Sequence, residues 1–326
     1  MLKRYLNFFI KISIAALLLW ALYKQLFARQ DAKEVISVFK NSIYSGNGIW
    51  FLAALVLVPI NWGIESLKWQ KLMHPFMEMS FFRAYRAILA GVTISIFTPN
   101  RIGEYGGRIL EVEAKYNWKG VLATLVGSFS QLLILLSFGL AGALFYLNKY
   151  ENIDGFLLNS SIFIGGSLIL FMLLGYFNVD MILPIVRRLP LGKWARPVFR
   201  QLVVLKSYKA KRLGQVLFLS MLRYLIYSFQ YYLILRFFGF SLPVFIAFAG
   251  IATIFLVQTS IPLPLVMGLL MRGEVALTVW GYSTDNDLGI LASTFLLFII
   301  NLSLPALLGL GIIVRTNVIK SLGYEK

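Results

Sequence analysis

Arginine and glutamate side chains alternate beside a predicted break in the chain, within residues 98–108, which read TPNRIGEYGGR. Arg101 and Arg108 carry planar guanidinium groups that donate paired hydrogen bonds to phosphate or carboxylate oxygens. Glu104 lies between them and could balance their charge in an empty site, or take a proton during a cycle. These residue types in this order predict a site that binds an anionic group.

A second stretch, residues 258–274, repeats this order of residue types: threonine and proline first, then arginine, glycine and glutamate. We expect Arg272 to bind an anion as the first two arginines do, and Glu274 to balance its charge. The alternative is that each Glu–Arg pair is a static structural ion pair.

Prolines and glycines interrupt both stretches and predict breaks between helices, at Pro99, Gly103, Pro262 and Pro264. The apolar run at 87–97 is too short to cross a bilayer, which takes roughly 20 residues, so it suits a re-entrant segment. Half-helices that end beside charged residues near the middle of the membrane are typical of binding sites in translocators. The alternative for the first stretch is an interfacial helix with a wet, salt-bridged face.

Arg223 is predicted to lie inside a span, roughly 13–15 Å from its start at 1.5 Å per residue. It shares a helix face with Ser220, Tyr227 and Gln230, which continue a polar stripe inward. Charges inside spans are costly and indicate function. The alternative is that Arg223 extends to the cytoplasmic interface.

Catalytic and metal-binding patterns are missing from the sequence. It contains no cysteine and only one histidine, His74, in a basic loop, so it offers neither a thiolate nor a histidine metal site. The motifs of phosphate-binding loops, zinc proteases and serine hydrolases are absent as well. We therefore expect no metal, no cofactor and no enzymatic activity.

The composition is that of a membrane protein: of 326 residues, 59% are hydrophobic and only 14% are charged, with a mean hydropathy of +0.77. Continuous apolar runs, without the alternation of a barrel, predict an all-α, polytopic integral membrane protein. We expect about six full spans plus two broken re-entrant helical hairpins. The predicted spans are 8–27, 49–67, 121–147, 156–177, 213–238 and 288–314.

The net charge of +17 resides mainly in the loops. We expect the protein to reside in the cytoplasmic (inner) membrane. The positive-inside rule then places both termini, the 68–86 loop and the basic 180–213 loop on the cytoplasmic side. Basic loops at this surface meet lipids with anionic headgroups, which argues against nucleic acid as the partner.

The two broken segments then enter from opposite sides, which indicates an inverted-topology repeat within one transmembrane domain, 1–326. The pseudo-repeat halves are predicted at about 49–147 and 213–314.

Three motifs resemble one known family: WGIESLKWQKL at 62–72, TPNRIGEYGGR at 98–108 and PLPLVMGLLMRGE at 262–274. Together they resemble the lysylphosphatidylglycerol synthase transmembrane-region family, over about residues 5–315. That family is the flippase-like membrane part of bacterial aminoacyl-phospholipid synthases and also occurs as stand-alone membrane proteins. The resemblance maps the following residues onto its motifs: Pro99, Arg101, Gly103, Glu104, Arg108, Pro262, Arg272 and Glu274.

The resemblance implies movement of a lipid headgroup across the membrane, with an anionic or aminoacylated phospholipid or a similar amphiphile as the substrate. No synthase domain follows the last predicted span, so we expect the chain not to make the aminoacyl lipid. One alternative is a non-transporting partner subunit that docks an envelope-synthesis enzyme through the 180–213 loop. Another is an intramembrane transferase that acts on a lipid phosphate.

Overall fold

The computed structural model describes most of the chain, and the regular secondary structure in the described part is all helical. The described residues are 2–26, 32–96, 98, 101–181, 201–261, 265–321 and 323, with side chains left out at 2–4, 24–26, 32–33 and 265–269. Most of the basic loop predicted at 180–213 therefore lies outside the described residues. So do three of the predicted break residues, Pro99, Pro262 and Pro264.

Thirteen α-helices are described, and we number them in chain order. The first seven are α1 Leu2–Leu26, α2 Ala32–Ser42, α3 Gly48–Met73, α4 Phe81–Ser95, α5 Gly103–Ile109, α6 Asn117–Glu151 and α7 Gly155–Phe177. The others are α8 Ala210–Phe237, α9 Val244–Ser260, α10 Leu265–Trp280, α11 Asp287–Phe298, α12 Leu304–Arg315 and α13 Val318–Ser321. A π-helical turn, Ile299–Ser303, joins α11 to α12.

Five helical stretches are long and apolar enough to cross a membrane, which confirms the prediction of a polytopic membrane protein. They are Tyr5–Tyr23, Glu34–Met73, Ala114–Glu151, Gly155–Phe177 and Asp287–Arg315. The span predicted at 213–238 is the 28-residue helix α8, about 40 Å long at 1.5 Å per residue. Its arginines, lysines and tyrosines make it less apolar than the other five.

Each of the two broken segments consists of a pair of short helices. The first pair, α4 and α5, has 15 and 7 residues, and the second pair, α9 and α10, has 17 and 16. α4 begins earlier than the predicted apolar run, because the Ser80 hydroxyl caps it by accepting a hydrogen bond from the Arg83 backbone N–H. Helices this short do not reach across a hydrocarbon core of about 30 Å.

The packing of the helices is reciprocal between the two parts of the chain. The long helices α3 and α8 pack against each other along much of their length. α4 packs on α12, near the end of the chain, and α9 packs on α6, in the first part. The two broken pairs are thus held inside a frame of longer helices.

Two large buried clusters fill this frame. One surrounds α3, α4 and α6 and includes Trp69, Leu72 and Ile88. The other joins α8 to the second broken pair and includes Tyr231 and Trp280. α7 joins the first cluster only near its C-terminal end, through Tyr176, and most of its apolar surface is exposed and suits contact with lipid.

The helix that we expect after the first break is shorter than its sequence pattern suggests. A continuous helix would align Glu104, Arg108, Glu111 and Lys115 on one face, but α5 ends at Ile109. The stripe is therefore divided. Glu111 binds Arg86 at 3.1 Å, and Lys115 lies exposed beside Glu113.

Candidate functional site

The two helices of the first broken pair approach each other at glycines. A Cβ atom added at Gly107 would lie 2.5 Å from the carbonyl oxygen of Ala90 and 2.5 Å from the Cα of Gly91. Only glycine permits so close an approach. Because of it, Arg108 lies against α4 and its guanidinium reaches α3.

Glu65 on α3 is the centre of a buried charge network. Its Oε1 accepts a hydrogen bond from Nη2 of Arg108 at 2.8 Å. Its Oε2 lies 2.7 Å from Nζ of Lys68 and 3.2 Å from Nη1 of Arg223. The Glu65 side chain is 4% exposed. A carboxylate buried this deeply needs paired cations, and α3, α5 and α8 each supply one.

Glu104 extends this network toward the break. It accepts a hydrogen bond from Arg108, and its Oε2 lies 3.4 Å from Nη2 of Arg101. The φ angle of Arg101 is 58°, a left-handed backbone that is uncommon for a residue with a side chain. Such backbone strain concentrates at functional sites. Four cations, one lysine and three arginines, therefore surround only two carboxylates.

A cavity of about 660 Å³ opens beside this network, within the range of roughly 300–1,000 Å³ that is usual for small-molecule sites. The first broken segment contributes Thr98 and Arg101 to its wall. The second contributes Arg272 and residues 258–261. Arg223 of α8 completes the set of arginines that line it. Both broken segments thus face one cavity among helices that cross the membrane.

Neutral polar and aromatic side chains form the rest of the wall. The neutral polar groups include Asn61, Gln131, Gln258 and Asn301. The guanidinium of Arg223 lies 5.0 Å from the ring centre of Trp62, and that of Arg272 lies 5.5 Å from the ring centre of Phe298. Aromatic faces attract cations in this geometry and hold them in place. The cavity can therefore bind a charged, polar group at membrane depth.

The structure brings most of the predicted site residues together. Arg101, Arg223 and Arg272 line the cavity, and Arg223 is turned inward to Glu65 rather than extended to the interface. Glu104 and Arg108 lie behind the wall in the charge network. These five residues lie close together, and their role in binding a ligand stays a prediction. Glu274 does not join them, because its side chain is exposed and does not line the cavity.

The predicted break residue Gly103 is the first residue of α5. Its N–H donates a hydrogen bond to the Thr98 hydroxyl at 2.8 Å. A Cβ atom there would lie 2.4 Å from the carbonyl oxygen of Ile94. Gly103 thus permits α5 to begin directly against the end of α4.

Glu65, Lys68 and Gln131 belong to the site but were not predicted as site residues. The second predicted span, 49–67, contains Glu65 but ends before Lys68, whereas α3 continues to Met73 and carries both charges. Gln131 accepts hydrogen bonds from Arg223 and Lys68, each at 3.5 Å. The i,i+3 spacing of Glu65 and Lys68 was the available signal, since opposite charges at this spacing form a pair on one helix face.

In the part of the chain that the structure describes, no three histidine, cysteine, aspartate or glutamate residues are grouped as metal ligands would be. The cavity offers guanidinium and amide hydrogen-bond donors, which are suited to bind and orient an anion.

Comparison with known families identifies the chain. The family described as the lysylphosphatidylglycerol synthase TM region matches residues 8–309. That range covers most of the sequence, so the chain belongs to this family, as its motifs predict. In comparisons with curated proteins and with solved structures, nothing matches significantly.

Proposed function

We propose that this chain moves an amphiphile with a polar headgroup, an anionic or aminoacylated phospholipid or a similar lipid, from one leaflet of the membrane to the other. The observation that carries the proposal is the cavity lined by both broken segments, with Arg101 from the first and Arg272 from the second. A polar site of this kind lowers the cost of bringing a headgroup to membrane depth, which is the main barrier to lipid movement.

Family membership supports the same function, because the matched region is the membrane part of a phospholipid-modifying family. The two broken pairs add a physical reason. Helices that stop within the membrane expose backbone N–H and carbonyl groups, and those groups must be satisfied by a polar cavity or its contents. Rocking of one broken pair against the other would open the cavity to each leaflet in turn.

The test is lipid movement in proteoliposomes. Purified protein is reconstituted with phospholipids that carry a fluorescent acyl chain, and dithionite quenches the label that has reached the outer leaflet. We expect faster loss of the protected fluorescence than in protein-free liposomes for at least one headgroup. Rates equal to those of protein-free liposomes for anionic, zwitterionic and aminoacylated headgroups alike would contradict the proposal.

A further inference from the structure

The proposed function leaves open whether the lipid is anionic or aminoacylated, and the charge of the cavity wall distinguishes between these two classes. Three arginines line the cavity: Arg101, Arg223 and Arg272. Among the described lining residues there is no aspartate or glutamate. The other polar lining groups are amides, hydroxyls and phenols, so the wall has a net positive charge.

The two carboxylates nearest to the cavity are already paired. Glu65 lies behind the wall with Lys68, Arg108 and Arg223 within 3.2 Å of its oxygens. Glu104 is bound by Arg108 and lies beside Arg101. Their side chains are 4% and 12% exposed. Neither carboxylate is open to an ammonium group of a ligand unless an existing ion pair breaks first.

The arginines, in contrast, keep hydrogen-bonding capacity for a ligand. The Nε atoms of Arg101 and Arg223 are buried and have no hydrogen-bond acceptor among the described residues. Arg272 lies over the Phe298 ring, and within the described residues no carboxylate lies within ion-pair distance of it. Guanidinium groups with free donors in a low-dielectric wall are stabilised by an anion, and phosphate matches their planar geometry.

An aminoacylated headgroup has the opposite charge. A lysyl ester of phosphatidylglycerol carries two ammonium groups and one phosphate, so it enters as a net cation. Its ammonium groups would face the three arginines, and the described lining residues offer only neutral oxygens, such as those of Asn61, Gln258 and Thr259, to accept their hydrogen bonds. Like charges placed together in a binding site disfavour that ligand strongly.

We propose that the cavity selects a phosphate-bearing, net anionic lipid headgroup and excludes aminoacylated, net cationic ones. The proposal rests on the proposed function and narrows it to one substrate class. It assigns to Arg272 the role of a specificity residue, because no carboxylate among the described residues lies within ion-pair distance of this cavity arginine.

The test compares three lipids with the same fluorescent acyl chain in proteoliposomes of the full chain: phosphatidylglycerol, phosphatidylcholine and lysylphosphatidylglycerol. We expect phosphatidylglycerol to move at least about tenfold faster than the lysyl ester, since one unfavourable charge contact exceeds the free energy of a tenfold change. Equal or faster movement of the lysyl ester would overturn the selectivity and leave the proposed function intact. No movement of any lipid would contradict both.

A variant series shows whether Arg272 sets the selectivity. Arg272→Gln should slow phosphatidylglycerol and leave phosphatidylcholine nearly unchanged, and Arg272→Glu should shift the preference toward the lysyl ester. Arg236→Gln is the matched control, because Arg236 also stacks on an aromatic ring, Trp50, at 5.4 Å, but does not line the cavity. If Arg272→Glu keeps the wild-type preference in correctly folded protein, Arg272 does not select the headgroup.

A soluble anion is the other possible source of the phosphate group, and entrapped radiolabelled phosphate distinguishes the two. We expect the proteoliposomes to retain it while phosphatidylglycerol moves. Release of phosphate without lipid movement would assign the cavity to a soluble anion and overturn the proposal.

Discussion

Glu65 organises the charges of the site, because Lys68, Arg108 and Arg223 all meet at its two oxygens. These partners come from three different helices, so the carboxylate also joins α3 to α5 and α8. Arg223 takes part in both the network and the cavity wall, whereas Arg108 is buried behind the wall. At the scale of single residues, some charges thus hold the helices together and others face the cavity, and Arg223 does both.

Removing the central carboxylate tests this bracing role. Glu65→Gln leaves three buried or half-buried cations without their shared anion, and loss of one partner of a buried pair typically costs about 3–5 kcal/mol. We expect a much lower midpoint of thermal unfolding in detergent. Glu113→Gln is the control, since Glu113 is exposed and its ion pair is with exposed Lys115. Equal midpoints for the two variants would show that the network does not hold the helices together.

Arg108 and Lys115 allow a buried charge of the site to be compared with an exposed charge a few residues later. Arg108→Ala should reduce lipid movement far more than Lys115→Ala, because the Arg108 side chain is 2% exposed and that of Lys115 is 65% exposed. The amount of monodisperse protein on size exclusion and the rate of lipid movement per folded protein should be measured for both. Similar losses in the two variants would contradict the assignment of these charges.

At the scale of helices, the broken pairs depend on close backbone contact. α5 is only seven residues long, too short to be stable alone. It is held by packing on α4 through Gly91 and Gly107 and by the ion pairs of Arg108. The position of the cavity arginines follows from this contact rather than from helix propensity.

Two adjacent glycines of α5 provide a matched test of that contact. Gly107→Ala places a methyl group 2.5 Å from backbone atoms of α4, whereas a methyl group at Gly106 meets nothing within 4 Å. We expect Gly107→Ala to lower both the unfolding midpoint and the rate of lipid movement. Gly106→Ala should change neither, or raise the midpoint slightly, because alanine favours helix. Equal behaviour of the two variants would mean that α5 does not pack on α4 as described.

Much of the helical framework could be predicted from the sequence, because apolar length alone identifies membrane spans. The observed α7, Gly155–Phe177, differs from its predicted range by one residue. Where helices end inside a charged stretch, the pattern was misleading. α3 runs six residues past its predicted end, and the helical periodicity after Gly103 stops at Ile109. Packing against other helices determines where these helices end, and it cannot be read from the spacing of residues within one segment.

The site was predictable only in part for the same reason. Arginines beside prolines and glycines marked Arg101 and Arg272, since charged residues at helix breaks are rare and costly in membranes. The partners of Arg108 and Arg223, which are far away in sequence, could not be found in this way. Arg108 and Glu65 are 43 positions apart, and Arg223 and Gln131 are 92 apart. Only the three-dimensional packing of α3, α5, α6 and α8 shows that they are partners.

At the scale of the whole molecule, the reciprocal packing of α4 on α12 and of α9 on α6 is the pattern that a two-fold pseudo-symmetry between halves would produce. The inverted-topology repeat and its halves at 49–147 and 213–314 stay predictions. So does the cytoplasmic location of both termini.

Cysteine labelling on intact cells checks this orientation. Single cysteines are introduced in the 148–155 and 68–86 loops and treated with a membrane-impermeant reagent. We expect labelling at the first loop and protection at the second, and the reverse would contradict the predicted orientation.

The alternative of a partner subunit for an envelope enzyme depends on the 180–213 loop, of which 182–200 lies outside the described residues. It stays a prediction and is tested independently of transport. Stoichiometric co-purification of an envelope-synthesis enzyme that is lost when the loop arginines are replaced would favour it. Normal lipid movement by the purified chain alone would show that translocation needs no such partner.

If lipid headgroups pass through the cavity lined by the two broken pairs, a bulky side chain placed in its wall should stop their movement. Thr259 lines the cavity at an exposed position, so Thr259→Trp fills the passage without disturbing the buried core. Leu170→Trp, on the exposed face of α7, is the control. Transbilayer movement of fluorescent phosphatidylglycerol is measured for both in proteoliposomes of equal protein content. We expect a rate near that of protein-free liposomes for Thr259→Trp and the wild-type rate for Leu170→Trp. A wild-type rate for both variants would show that headgroups do not pass through this cavity.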